Sequence, residues 1–91
     1  MYLHLGQEIV VYMNDIVGIY DMDTTTVSKH TREYLNLAER EKRVFYVSPY
    51  ELPKSFVVVK DGLEERVYIC PLSSQTLLKR SNIPIGELDK L

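Results

Sequence analysis

The apolar residues of this chain arrive in short runs, largely β-branched and aromatic, each closed by turn residues. That punctuation constrains the fold more than any other feature, because runs of four to six such residues suit strands. Tyr2–Leu5, Ile9–Met13 and Ile16–Tyr20 open the sequence, separated by Gly6-Gln7 and Asn14-Asp15. Val44–Val47 follows later, then Ser55–Lys60 around Phe56-Val57-Val58-Val59. Asp61-Gly62 marks a turn, Arg66–Cys70 pairs back as a hairpin, and Pro71 ends it. No run approaches the roughly 18 residues of a membrane span.

Two helices complete the pattern. From Val27, residues Thr31, Tyr34, Leu35 and Ala38 share one stripe, with polar residues opposite. Asp23-Thr24-Thr25-Thr26 breaks the preceding strand; Ser28 is the preferred N-cap, with Thr26 as the alternative. Arg40, Lys42 and Arg43 gather at the far end, where the helix dipole favours cations. Ser73 or Ser74 caps a short second helix, with Leu77 and Leu78 as its apolar stripe and Lys79-Arg80 in its last turn. The expected class is α+β: a small, mostly antiparallel sheet of about five or six short strands, one amphipathic helix and a short C-terminal helix. Residues 1–81 read as a single domain and 82–91 as a tail, with no room for a second domain in 91 residues.

Composition adds exclusions. Hydrophobic residues at 45% and charged residues at 26% are the proportions of a folded domain, so a disordered tail or a collagen-like repeat is ruled out. Cys70 is the single cysteine and cannot form an internal disulfide, and the N-terminus lacks the basic flank and apolar stretch of a secretory signal. Both point to the cytoplasm and away from the membrane. A net charge of −2 argues against a monomer that grips nucleic acid by bulk charge. The charge is also uneven: residues 1–27 hold four acids and no Lys or Arg, whereas residues 28–43 hold five cations against three acids. Such asymmetry permits head-to-tail docking between identical subunits.

Catalytic and metal chemistry has no sequence signature. His4 and His30 sit in no metal-ligand spacing, Cys70 has no sequence partner, and the four glycines are too scattered for a phosphate loop. No catalytic residue, metal ligand or cofactor is therefore assigned. Gly18 inside a strand suggests a bulge or a close backbone approach. Seven tyrosines against two phenylalanines favour half-buried and interface positions; Tyr50, in a loop bounded by Pro49 and Pro53, is a candidate partner contact. Ile9-Val10-Val11-Tyr12 lacks polar alternation, so both faces are expected to meet something apolar, and Tyr2, Ile9, Val11, Ile16 and Tyr20 become candidates for contact with another copy. Lys54-Ser55 and Lys79-Arg80 are candidate phosphate contacts if the fold brings them to one edge. Repeated around a symmetric assembly, such a patch would act by avidity.

Four stretches carry a resemblance. Met1-Tyr2-Leu3-His4-Leu5-Gly6, Asp15-Ile16-Val17-Gly18-Ile19-Tyr20-Asp21, Pro53-Lys54-Ser55-Phe56-Val57-Val58-Val59 and Val67-Tyr68-Ile69-Cys70-Pro71-Leu72-Ser73-Ser74-Gln75-Thr76-Leu77-Leu78-Lys79-Arg80 together resemble the RemA/RemB family of biofilm matrix regulators. The resemblance runs to about residue 81, and its last stretch is the most specific. It implies a ring-forming homo-oligomer that regulates transcription of matrix genes, with DNA held through backbone phosphates by a basic loop before the central strand. The paired arginines of that loop fall near Leu52-Pro53 here, so the resemblance carries over only Lys54. The expected partners are thus other copies of the chain, then DNA or another regulator. A protein-interaction or scaffold module without DNA contact is the alternative reading, and an enzyme stands behind both.

Overall fold

In the computed structural model the described residues are 1–22 and 28–81. The expected break at 23–26, the alternative N-cap Thr26 and the tail 82–91 lie outside them.

Everything is arranged around β5 (Ser55–Asp61), whose first five residues are all buried. Alternation turns Ser55, Val57 and Val59 to one face and Phe56 and Val58 to the other, so this strand needs cover on both sides. In its own plane it lies between β3 (Ile16–Asp21) and β6 (Glu64–Cys70), both antiparallel to it. β4 (Val44–Tyr46) pairs with β6 in parallel, giving the order β3-β5-β6-β4. The chain reaches β5 from β4 through the proline loop, and β6 returns between them.

One face of this sheet is covered by α1 (Lys29–Arg40), where Ala38 packs on Phe56, Val58, Val67 and Ile69 with Tyr34, Leu35 and Val44 around them. Tyr34 also ties helix to sheet: its hydroxyl donates to Glu65 Oε2 at 2.5 Å, and Arg43 Nη1 lies 3.4 Å from the same oxygen. The other face is covered by a separate hairpin of β1 (Tyr2–Gly6) and β2 (Ile9–Tyr12), together with α2 (residues 74–81). Leu3, Leu5, Val11 and Leu77 close over Val47, Val57, Val59 and Cys70. Met13 N–H donates to Met1 C=O at 2.9 Å, fastening the open end of the hairpin. Its two-residue turn, Gln7-Glu8, has both residues left-handed at φ 49° and 67°, a conformation usually given to Asn-Gly.

Several expectations change. Among the described residues six strands form two sheets of two and four strands, and one pairing is parallel. Ile9–Tyr12 is apolar on both sides but covered on one: Val11 is buried and Ile9 packs on the core, while Val10 and Tyr12 face outward. Leu78 is no part of the α2 stripe; it is exposed, and Leu77 alone is buried. Ser28 occupies the N-cap position of α1, but its hydroxyl makes no capping hydrogen bond. Gly18 meets both expectations. The β3–β5 register slips between Ile16 and Gly18, and the Tyr20 ring folds back over Gly18, filling the space a Cβ would need.

Candidate functional site

Lys54 is exposed, but its backbone is fixed between two strands' ends. Its N–H donates to Cys70 C=O at 2.8 Å, and its C=O accepts from Met22 N–H at 3.0 Å. Beside it lies a hollow of about 350 Å³ lined by Asp21, Leu52, Pro53, Ser73, Ser74 and Gln75. The last three residues begin α2. Ser73 Oγ accepts from Thr76 N–H at 3.1 Å, the N-cap bond that starts this helix. The helix start carries partial positive charge, so Lys54 and the α2 backbone present two positive sources to one hollow, with Asp21 opposing them. Chemically the arrangement suits a single anionic oxygen group.

The four residues expected to hold phosphate are not brought together. Ser55 is fully buried and its Oγ donates to Leu72 C=O at 2.6 Å, so it is withdrawn from the candidate set. Facing inward is its register position: it alternates with Val57 and Val59 on the hairpin side. Lys79 and Arg80 stand at the far end of α2 from the Lys54 hollow, about 8 Å of helical rise beyond its first residue. Arg80 Nη1 donates to His4 C=O at 3.2 Å, latching α2 to β1.

Tyr50 is 96% exposed and Leu52 80% exposed, so the proline loop offers apolar side chains where a basic loop would offer charge. Among the copy-contact candidates, Tyr2 and Tyr20 are exposed; the Tyr2 ring meets Tyr12 at a tilt, 5.4 Å between centroids, and Tyr20 stacks on Phe56 at 5.0 Å. Ile9, Val11 and Ile16 spend their side chains inside their own subunit, in or against the hairpin-side core, and are corrected accordingly.

A second concavity was not read from the sequence. Between β3 and α1 runs a groove of about 340 Å³, with Val17, Tyr20, Phe56 and Val58 as its floor and His30, Thr31, Tyr34 and Glu65 as its wall. It exists because α1 covers β5 and β6 but stops short of the edge strand. Burial, and then the Glu65 hydrogen bond, raise the Tyr34 pKa above its ordinary 10.0, so its hydroxyl stays a neutral donor. The only trace of the groove in the sequence is Gly18, which makes room for the Tyr20 ring. Among the described residues no three His, Cys, Asp or Glu side chains converge as a metal would require, and no helix is long and apolar enough to cross a membrane.

Comparison with known proteins places this architecture. A family model described as RemA-like, extracellular matrix regulatory protein A-like, matches residues 2–80. The chain belongs to the RemA-like family. Extracellular matrix regulatory protein B of Bacillus subtilis (strain 168) is 40% identical over 81 residues, covering 89% of this chain and 90% of that protein. The RemA-like match spans every element from β1 to α2, so both concavities lie within the family's own domain. That relative is named as a regulatory protein, not an enzyme.

Proposed function

We propose that this protein is a cytoplasmic regulator of extracellular matrix genes that works as a ring-like homo-oligomer and touches DNA weakly, through backbone phosphates. The family match over residues 2–80 carries the reading, supported by the name of the 40% identical relative. Within the fold, Lys54 beside the start of α2 is the best-formed anion position, and Lys79 is a second, separate cation on the same helix. One such contact is worth little at cellular salt; repeated around an assembly it becomes a track. A titration of duplex DNA at low and moderate salt tests this. The slope of log affinity against log salt should be negative and should shrink when Lys54 and Lys79 are replaced by alanine. No binding at low salt removes the DNA half of the proposal.

Tyr50 and Leu52 favour a second reading, in which the assembly presents its proline loop to another regulator. Retention of a protein partner that is lost in Tyr50→Ala, with no DNA bound, would select it over the first.

A further inference from the structure

The four-stranded sheet ends in two strands of opposite character. β3, at one edge, follows Asp15 and ends in Asp21, with no Lys or Arg before residue 28. β4, at the other edge, follows directly on the C-terminal end of α1, where Arg40, Lys42 and Arg43 outnumber Glu39 and Glu41 and where Arg43 is paired with Glu41 and Glu65. Both edges expose apolar side chains: Val17 is 58% exposed on β3 and Tyr46 50% on β4. The printed ladder fixes which way β4 turns. Arg43 C=O and Val47 N–H bond to β6, so Val44 and Tyr46, alternating with them, direct their backbone groups away from the sheet.

Strand directions match as well. β3 and β6 both run antiparallel to β5, and β4 runs parallel to β6, so β3 and β4 point the same way. A second copy can therefore be placed edge to edge without being inverted, keeping every α1 on the same side. Tyr46 lies on the α1 side, because Val44, two residues earlier, packs in the α1-side core. The groove between β3 and α1 is on that side too. With the strands parallel, Lys42, just before β4, falls at the start of β3, where half-buried Asp15 stands.

We infer that the sheet continues from copy to copy: β4 of one molecule pairs in parallel with β3 of the next, and Tyr46 enters the groove floored by Val17, Tyr20, Phe56 and Val58. The occupant of the groove is thus a second copy of this chain, selected by the acidic and basic edges and by the shared strand direction. Such a contact is heterologous, so it propagates from one molecule to the next and closes only where the rotation allows. It rests on the homo-oligomer proposed above and assigns the surfaces through which it forms.

Cysteine pairing separates the two ideas. Val17→Cys and Tyr46→Cys are made in separate full-length chains, with native Cys70 buried and silent. Mixed and mildly oxidised, the two should give a covalent dimer that neither gives alone. Tyr46→Asp, at an exposed position, should lower the assembled fraction at least tenfold by native mass spectrometry while leaving the circular dichroism unchanged. Asp15→Lys should do the same, and adding Lys42→Asp should restore assembly. An assembled wild type with no mixed crosslink, or with Val17→Cys crosslinking to itself, overturns this inference and leaves the oligomer standing. A wild type that is monomeric at micromolar concentration overturns the oligomer and this inference together.

Discussion

β2 and β5 are built from the same material, Ile-Val-Val-Tyr against Phe-Val-Val-Val, and end in different surroundings. β5 lies in the middle layer: α1 lies above it, the hairpin below it, and a strand runs on either side. β2 belongs to the hairpin, which is itself an outer layer, so among the described residues one of its faces meets nothing further. An unbroken apolar run therefore reports that a strand can be buried on both sides. Whether it is depends on how many layers the chain can build, and the described residues build three.

The contrast can be broken most sharply at Phe56, which is 3% exposed, stacks on Tyr20 and anchors the α1 face. Phe56→Ala should cost about 3–5 kcal/mol in a urea titration; a loss below about 1 kcal/mol would mean that the α1 face collapses readily around the void. Val11→Thr puts a hydroxyl against the hairpin-side core and should cost about 1–3 kcal/mol by the same measurement. Cys70, sealed by that hairpin, gives the comparison a pH dependence. Burial pushes its thiol from the ordinary 9.0 up to about 12, with the Ser55 contact pulling the other way. The folded state thus holds a proton that the unfolded chain releases: stability is full below pH 9.0 and falls as pH rises towards about 12. The slope is at most about 1.4 kcal/mol per pH unit, and Cys70→Ala should flatten it between about pH 9 and 10. Val10→Thr, one residue from Val11 but facing outward, should change stability by less than about 0.5 kcal/mol. A larger loss measured on the isolated subunit would mean that the outer face of the hairpin is covered after all.

Local chemistry was legible and layering was not. Asp61-Gly62 announces the β5–β6 hairpin because Gly62 supplies the left-handed φ of 64° that the turn needs. The stripe ending at Ala38 and the N-cap position of Ser28 belong to the helix itself, so they can be read before any partner is known. By contrast, nothing near Val44 says that it will pair in parallel with a strand some twenty residues later, because β6 must first return between β4 and β5. Ser55 illustrates the same limit at the candidate site. Beside Lys54 it reads as a hydroxyl offered to phosphate, and only the register with Val57 and Val59 turns it inward. Lys54 and Lys79-Arg80 are legible as cations, but the fold sets Lys54 near the start of α2 and Lys79-Arg80 at its far end.

The hairpin-side core has a consequence for how this protein is made. Leu3 and Leu5 close against Cys70 and Leu77, and Arg80 reaches back to the carbonyl of His4. β1 must therefore wait, while synthesis proceeds at about 5–20 residues per second, until the chain has been made as far as Leu77 before this core is complete. During that interval Leu3 and Leu5 travel without Cys70 and Leu77 over them, and a nascent chain stalled before Leu77 would leave this core open.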